Sequence, residues 1–144
     1  MEGCGPVGGG VKGRVLADGG ARGAALVLQE PLSMWGGVDP ATGAIIDVRH
    51  PQRGTFIKGR VLVMRSVRGS SSSSSVLAES VRAGVAPAAI LLGEQDLILA
   101  VGAAVAEELY GVRVPIVHLG PGELETIPDG ASVSVHEGGE VTLR

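Results

Sequence analysis

The chain has 144 residues, 44% of them apolar, and a formal net charge of −3, which is the size of one domain able to bury about two-thirds of its unfolded surface. Only Trp35, Phe56 and Tyr110 are aromatic and no basic cluster stands out, which excludes stacking on single-stranded nucleic acid and attraction to a phosphate backbone. Cys4 is the single cysteine, so no internal disulfide and no iron–sulfur or zinc-thiolate site can be assembled from this chain; with no membrane-length apolar run and no signal-peptide pattern at the N-terminus, the expected location is cytoplasmic.

Residues 1–10 are glycine-rich and are expected to form a flexible segment, leaving 11–144 as a single domain. Val11 to Ala17 alternates and predicts a strand, closed by the turn Asp18-Gly19-Gly20. Gly23 to Leu28 predicts a second, all-apolar strand that pairs with the first as a hairpin beneath a covering layer. The stretch from Glu30 to Gly43 has no periodicity but holds the one tryptophan. It is either an Ω-loop pinned by Trp35 or a loop reaching into a site, where Gly36-Gly37 lets backbone approach a ligand. Ile45 to Val48 predicts a short strand. His50, before Pro51, sits in extended backbone, with no carboxylate at short range to orient it for catalysis.

Ile57 to Met64 predicts the strand that delivers the most unusual stretch of the chain, Arg68-Gly69 followed by six serines, Ser70 to Ser75. Val76, Leu77, Val81 and Val85 then fall near helical spacing, so a helix begins inside or just after the serines. Strand, glycine, hydroxyl-rich turn and helix together aim backbone N–H groups and the positive end of a helix dipole at one point, where an anion belongs. A single serine suffices as a helix cap, and serine runs also form linkers. Six serines between a strand and an amphipathic helix exceed both needs.

Gly84 ends that helix, and Pro87 to Leu92 predicts the next strand. Gln95 to Tyr110 predicts a helix with Leu97, Ile98, Val101, Ala104, Val105 and Leu109 as its inward face and Gly111 as its C-cap. Val114 to Val117 predicts another strand, so the centre is strand–helix–strand–helix–strand with parallel pairing. Ala131 to Val135 and Val141 to Leu143, around Glu137-Gly138-Gly139, carry a β-hairpin signature. The expected fold class is α/β, a β/β/α stack with a parallel strand–helix centre and antiparallel hairpins at the flanks.

Several ordered motifs are similar to the swivel-domain family of aconitase X. They are Pro31-Leu32-Ser33-Met34-Trp35-Gly36-Gly37-Val38-Asp39-Pro40, His50-Pro51, Arg68-Gly69-Ser70-Ser71, Ala86-Pro87-Ala88-Ala89-Ile90 and the helix from Gly102 to Leu109. The resemblance implies a swivelling β/β/α domain, the small subunit of a hydro-lyase that docks on a large subunit carrying an iron–sulfur cluster of the 4Fe–4S type. The small subunit binds no cofactor itself and is inactive alone. A separate swivel chain resembles the archaeal-type subunit that dehydrates mevalonate 5-phosphate to trans-anhydromevalonate 5-phosphate in a modified mevalonate pathway to isoprenoid precursors. The other branch dehydrates cis-3-hydroxy-L-proline and typically carries a cysteine in its serine turn, absent from this chain.

By this resemblance Ser70 is the proton acceptor and Ser71 a substrate or oxyanion contact. Ser33, Gly36, Gly37 and Asp39 belong to the loop that meets the large subunit's active site. The partner's cluster would act as a Lewis acid on the departing hydroxyl of a phosphorylated hydroxy acid. Arg65 and Arg68 are local cations available to hold phosphate, and Ser72 to Ser75 remain as caps or filler. Two readings compete with this one. A non-catalytic anion-binding module would use the same turn for a phosphate-bearing ligand. A phosphocarrier would need a histidine on a glycine-rich turn before a helix, and neither His50, His118 nor His136 is so placed.

Overall fold

The computed structural model describes residues 10–66 and 72–143. In chain order these form β1 (Gly10–Lys12), β2 (Arg14–Ala17), β3 (Ala21–Val27), the single turn α1 (Met34–Gly37), β4 (Val61–Met64) and α2 (Ser73–Arg82). There follow β5 (Ala89–Leu92), α3 (Leu97–Tyr110), β6 (Ile116–His118), the short α4 (Pro121–Leu124), β7 (Ser132–Val135) and β8 (Glu140–Leu143). No helix among the described residues is long and apolar enough to cross a membrane.

β3, β4, β5 and β6 pair in parallel in that order. β4 and β5 are apolar and buried at every position, the pattern of strands covered on both faces. Their alternation separates two cores. Leu62, Met64, Ile90 and Leu92 point toward Leu77, Val81, Leu99 and Ala103 of α2 and α3. Val61, Val63, Ala89 and Leu91 point the other way, toward Val133, Val135 and Val141 of the β7–β8 hairpin and Leu124 and Ile127. The result is the expected β/β/α stack, with the parallel strands in the middle. β3 belongs to both sheets: its first half pairs antiparallel with β7 and its last three residues parallel with β4.

The first predicted strand does not form a hairpin with the second. It breaks at Gly13 into β1, which pairs antiparallel with β8, and β2, which pairs antiparallel with β6. A Cβ at Gly13 would lie 2.3 Å from Val117 Cγ1 and 2.6 Å from the His118 carbonyl oxygen, so only glycine fits where the chain crosses. Beyond β2, one carboxylate oxygen of Asp18 accepts hydrogen bonds from the N–H groups of Gly138 and Gly19, each at 2.9 Å. These bonds, the Gly138 one foremost, hold its pKa below the usual carboxylate value. Ile45 to Val48 is not a strand either: Ile45 forms an isolated bridge to Val38, and Ala44 one to Phe56.

α3 runs close to the predicted bounds because its ends are chemically marked. Asp96 caps it by accepting from the N–H groups of Ile98 and Leu99, and Gly111 ends it at φ +68°. Its inward face, however, is the reverse of the predicted one. Leu99, Gly102, Ala103 and Ala106 are buried, while Leu97, Val101, Val105 and Leu109 are exposed. Gly102 explains the choice, because a Cβ there would lie 2.8 Å from the carbonyl oxygen and 2.9 Å from the Cα of Ser74. The two helices touch backbone to backbone, and only a stripe of small residues allows it.

Candidate functional site

The helix after the serine run forms as the sequence predicts, but the strand before it covers only the second half of the predicted Ile57–Met64, because Ile57 to Arg60 closes a turn with Gly59 at φ +68°. β4 ends at Met64, and α2 begins at Ser73 with Ser72 at its N-cap. Arg68, Ser70 and Ser71 lie outside the described residues. Ser72 has helical dihedral angles and its hydroxyl does not cap the helix. Ser73 is buried, and its hydroxyl finds no hydrogen-bond partner among the described residues. An unmet buried hydroxyl costs about 1–3 kcal/mol, so the start of α2 is a place where a polar group is energetically wanted. No acidic residue occupies the first turn of this ten-residue helix, which leaves its positive dipole end uncompensated by its own side chains.

The Ser33 to Asp39 segment forms the single turn α1, packed beside α2. Ser33, at its N-cap, is extended and makes no cap bond. Gly36 has φ +77° with open space where a Cβ would be; the backbone conformation, not crowding, calls for glycine there. Asp39 is committed locally, one carboxylate oxygen accepting from Ala41 N–H while its carbonyl accepts from Gly43 N–H. Trp35 does not pin this loop. Met34 and Leu32 are the buried anchors, and Trp35 is 59% exposed.

The loop is held by two residues that the sequence did not single out as a pair. His50 is buried; its Nδ1 accepts from Gln52 N–H at 3.1 Å, so the proton sits on Nε2, which donates to the Glu30 carbonyl at 3.0 Å. Gln52 then uses its side-chain amide as a strand would use backbone. Its Oε1 accepts from Gln29 N–H and its Nε2 donates to the Val27 carbonyl, both at 2.9 Å. Gln52→Ala removes both bonds at the carboxyl end of β3, at about 0.5–1.5 kcal/mol each. A fall in thermal midpoint of roughly 3–8 °C is expected by differential scanning calorimetry; an unchanged midpoint would mean the clamp contributes nothing.

At the carboxyl ends of β3 and β4 lies an open cleft of about 490 Å³, lined by Val27, Leu28, Gln29, Val63, Arg65, Leu124, Glu125 and Ile127. Ligands of open parallel sheets favour this edge. Arg65 at its rim is paired with Glu125 at 2.8 Å, which makes it a poorer free cation than the sequence alone implied. Gly93 fixes the edge beside it: its N–H donates to the Met64 carbonyl, and a Cβ there would lie 2.6 Å from the Arg65 carbonyl oxygen. Among the described residues no group of three or more His, Cys, Asp or Glu side chains could hold a metal ion.

Comparison with known proteins agrees with this arrangement. The Aconitase X swivel domain family matches residues 10–143. The cis-3-hydroxy-L-proline dehydratase of Pseudomonas aeruginosa is 51% identical over 107 residues, covering 74% of this chain and 18% of that protein. The chain thus spans about a fifth of the length of that relative. The phosphomevalonate dehydratase small subunit of Methanocella arvoryzae is 38% identical over 126 residues, covering 87% of this chain and 91% of that one. The crystal structure of Thermococcus kodakaraensis aconitase X (holo-form) superposes with a TM-score of 0.83 at 34% identity, covering 97% of this chain and 99% of that chain. The family match spans every described element from β1 to β8, and the chain belongs to the aconitase X swivel domain family.

Proposed function

We propose that this chain is the small subunit of a hydro-lyase that removes water from mevalonate 5-phosphate to give trans-anhydromevalonate 5-phosphate. The observation that carries the reading is the near end-to-end alignment with an archaeal phosphomevalonate dehydratase small subunit. It is supported by a serine run without cysteine placed between a buried strand and a helix N-terminus. The chain would act with a large subunit bearing the 4Fe–4S cluster, a partner that the small-subunit name of that relative supports.

In this reading a deprotonated Ser70 takes a proton from the carbon adjacent to the hydroxyl-bearing one, the C–H electrons become the new double bond, and the C–O bond breaks with its electron pair leaving on hydroxide, which is released as water. A serine alkoxide is a poor resting state in water. The helix dipole supplies only about 0.3–2 kcal/mol toward it, so exclusion of water and a nearby cation must supply the rest. With Arg65 engaged by Glu125, Arg68 is the better candidate for phosphate. Ser71 contacts the developing charge, and Ser33, Gly36, Gly37 and Asp39 shape the wall that faces the large subunit's site. The exposed Trp35 and Phe56 suit that interface, where aromatic side chains anchor partners.

A second reading is favoured by the 51% identity to the hydroxyproline enzyme: the same chemistry on cis-3-hydroxy-L-proline. The experiment is turnover by the chain reconstituted anaerobically with its large subunit, both substrates offered side by side. Dehydration of the phosphate substrate, and none by either subunit alone, is the expected result. Water loss from hydroxyproline alone would keep Ser70 and replace the substrate. No reaction, together with phosphate binding by the isolated chain, would return the turn to a non-catalytic anion site.

A further inference from the structure

Between Glu30 and Val38 the chain leaves β3, makes α1 and returns, and the stretch 44–54 grips it at both ends. At the exit the grip is backbone on backbone. The Ile46 N–H donates to the Gly37 carbonyl at 2.8 Å, and the Asp39 N–H to the Ala44 carbonyl at 2.9 Å. Any residue other than proline can make such bonds. At the entry the grip is side chain on backbone: His50 holds the Glu30 carbonyl, and Gln52 holds the Val27 carbonyl and the Gln29 N–H. The side of the loop that leads to Ser33 is therefore the side that depends on which residues stand at 50 and 52.

The gripping residues are themselves fixed. The Asp47 side chain accepts from the Arg49 N–H and its carbonyl from the His50 N–H, both at 3.0 Å. The His50 carbonyl accepts from the Arg53 N–H at 3.2 Å, and the Gly54 N–H donates to the Ile45 carbonyl at 2.8 Å. With Nδ1 occupied by the Gln52 N–H, the buried His50 ring has one proton to give, and it gives it to Glu30. Burial of Leu32 and Met34 sets the depth of the loop, but apolar contact is non-directional. Hydrogen bonds set its heading. The stretch that Gln52 grips, Val27 to Gln29, is also one wall of the cleft at the carboxyl ends of β3 and β4. One turn thus sets both the cleft wall and the entry to the Ser33–Asp39 loop, and ties them into one piece.

We propose that His50 and Gln52 are positioning residues for dehydration, holding the Ser33–Asp39 loop and the cleft wall in the one register that turnover requires. The proposal rests on the dehydratase-subunit reading. A misplacement of about 1 Å costs on the order of 10²-fold in rate, so slack at the entry should appear in kcat before it appears in folding. The test is steady-state turnover of the full chain saturated with the cluster-loaded large subunit of the same organism. Wild type is compared with His50→Asn, His50→Gln and Gln52→Glu, well below the lowest thermal midpoint. Asparagine keeps an acceptor for the Gln52 N–H, as in an Asx turn, but is too short to reach Glu30. Glutamine sets an amide N–H near the place of Nε2. Gln52→Glu leaves the imidazole alone and turns a carboxylate oxygen toward the Val27 carbonyl, which keeps the test decisive should His50→Asn fail to fold. Expected are a fall in kcat of roughly tenfold or more in His50→Asn and in Gln52→Glu at little-changed KM, and recovery to within about threefold in His50→Gln. Wild-type kcat in His50→Asn and Gln52→Glu, with lowered thermal midpoints, would leave the pair a structural clamp and overturn the proposal. Equal losses in His50→Asn and His50→Gln would overturn it too, because the bond to Glu30 would then not be what counts. No turnover by the wild-type enzyme with either substrate would overturn the dehydratase reading itself, and this proposal with it.

Discussion

Ser70→Ala should cut dehydration by at least ~10³-fold, the upper part of the range that a positioned proton acceptor supplies, while fold and subunit association stay intact. The expectation of an intact fold has a physical basis: α2 starts at Ser73 with Ser72 as the residue before its first turn, so position 70 precedes the helix and the substitution leaves its sequence intact. Ser71→Ala, which removes a contact to developing charge, should cost roughly 10²-fold, and the two losses should not add if both act on one transition state. The measurement is kcat and KM of the reconstituted enzyme alongside a thermal melt of the small chain. A Ser70→Ala enzyme within tenfold of wild type would move the proton acceptor to the large subunit and leave this chain a shaping role.

The second large effect is structural. Gly102→Val should destabilise the domain by about 2–3 kcal/mol, within the range for overpacking a closed contact, and lower the thermal midpoint by roughly 5–10 °C. The clash is with backbone, the Ser74 carbonyl at 2.8 Å and its Cα at 2.9 Å, so no rotamer change relieves it. Gly102→Ala should fall between wild type and valine, because alanine regains about 1 kcal/mol of helix propensity that glycine forgoes. Because Ser74 lies in the first turn of α2, parting the helices also shifts the end of the serine run. Turnover should therefore fall in the valine variant even at temperatures where it is fully folded. Unchanged stability in both variants would show that the helices separate at no cost.

The β/β/α stack was legible because β4 and β5 are unbroken apolar runs between turn residues, and because Gly111 marks the end of α3 so plainly. The inward face of α3 was not legible: a helix apolar on every side carries no polar stripe to orient it, and only the small residue at Gly102 hinted at where backbone comes close. The partners of β1 and β2 were hidden for a different reason. Alternation reveals a strand but not its neighbour, and these neighbours lie about a hundred residues or more away in sequence. In the site, the helix that begins within the serine run was legible from its apolar spacing, and the split between buried Met34 and exposed Trp35 was not. Side-chain size alone argues for burying both, and a tryptophan left exposed looks the same in sequence as one set in a core.

The break at Gly13 has a consequence for how the domain comes into being. β1 and β2 are neighbours in the chain, yet they occupy the two opposite ends of the eight-strand order. They act as a clasp joining the last strand of one sheet to the last strand of the other. During synthesis this clasp leaves the ribosome before either of its partners, β6 and β8. Until residue 143 is made, one of the two edges must stand open, with unpaired backbone groups that any other nascent strand could adopt. The clasp is the earliest segment of the fold to exist and the last to be fastened.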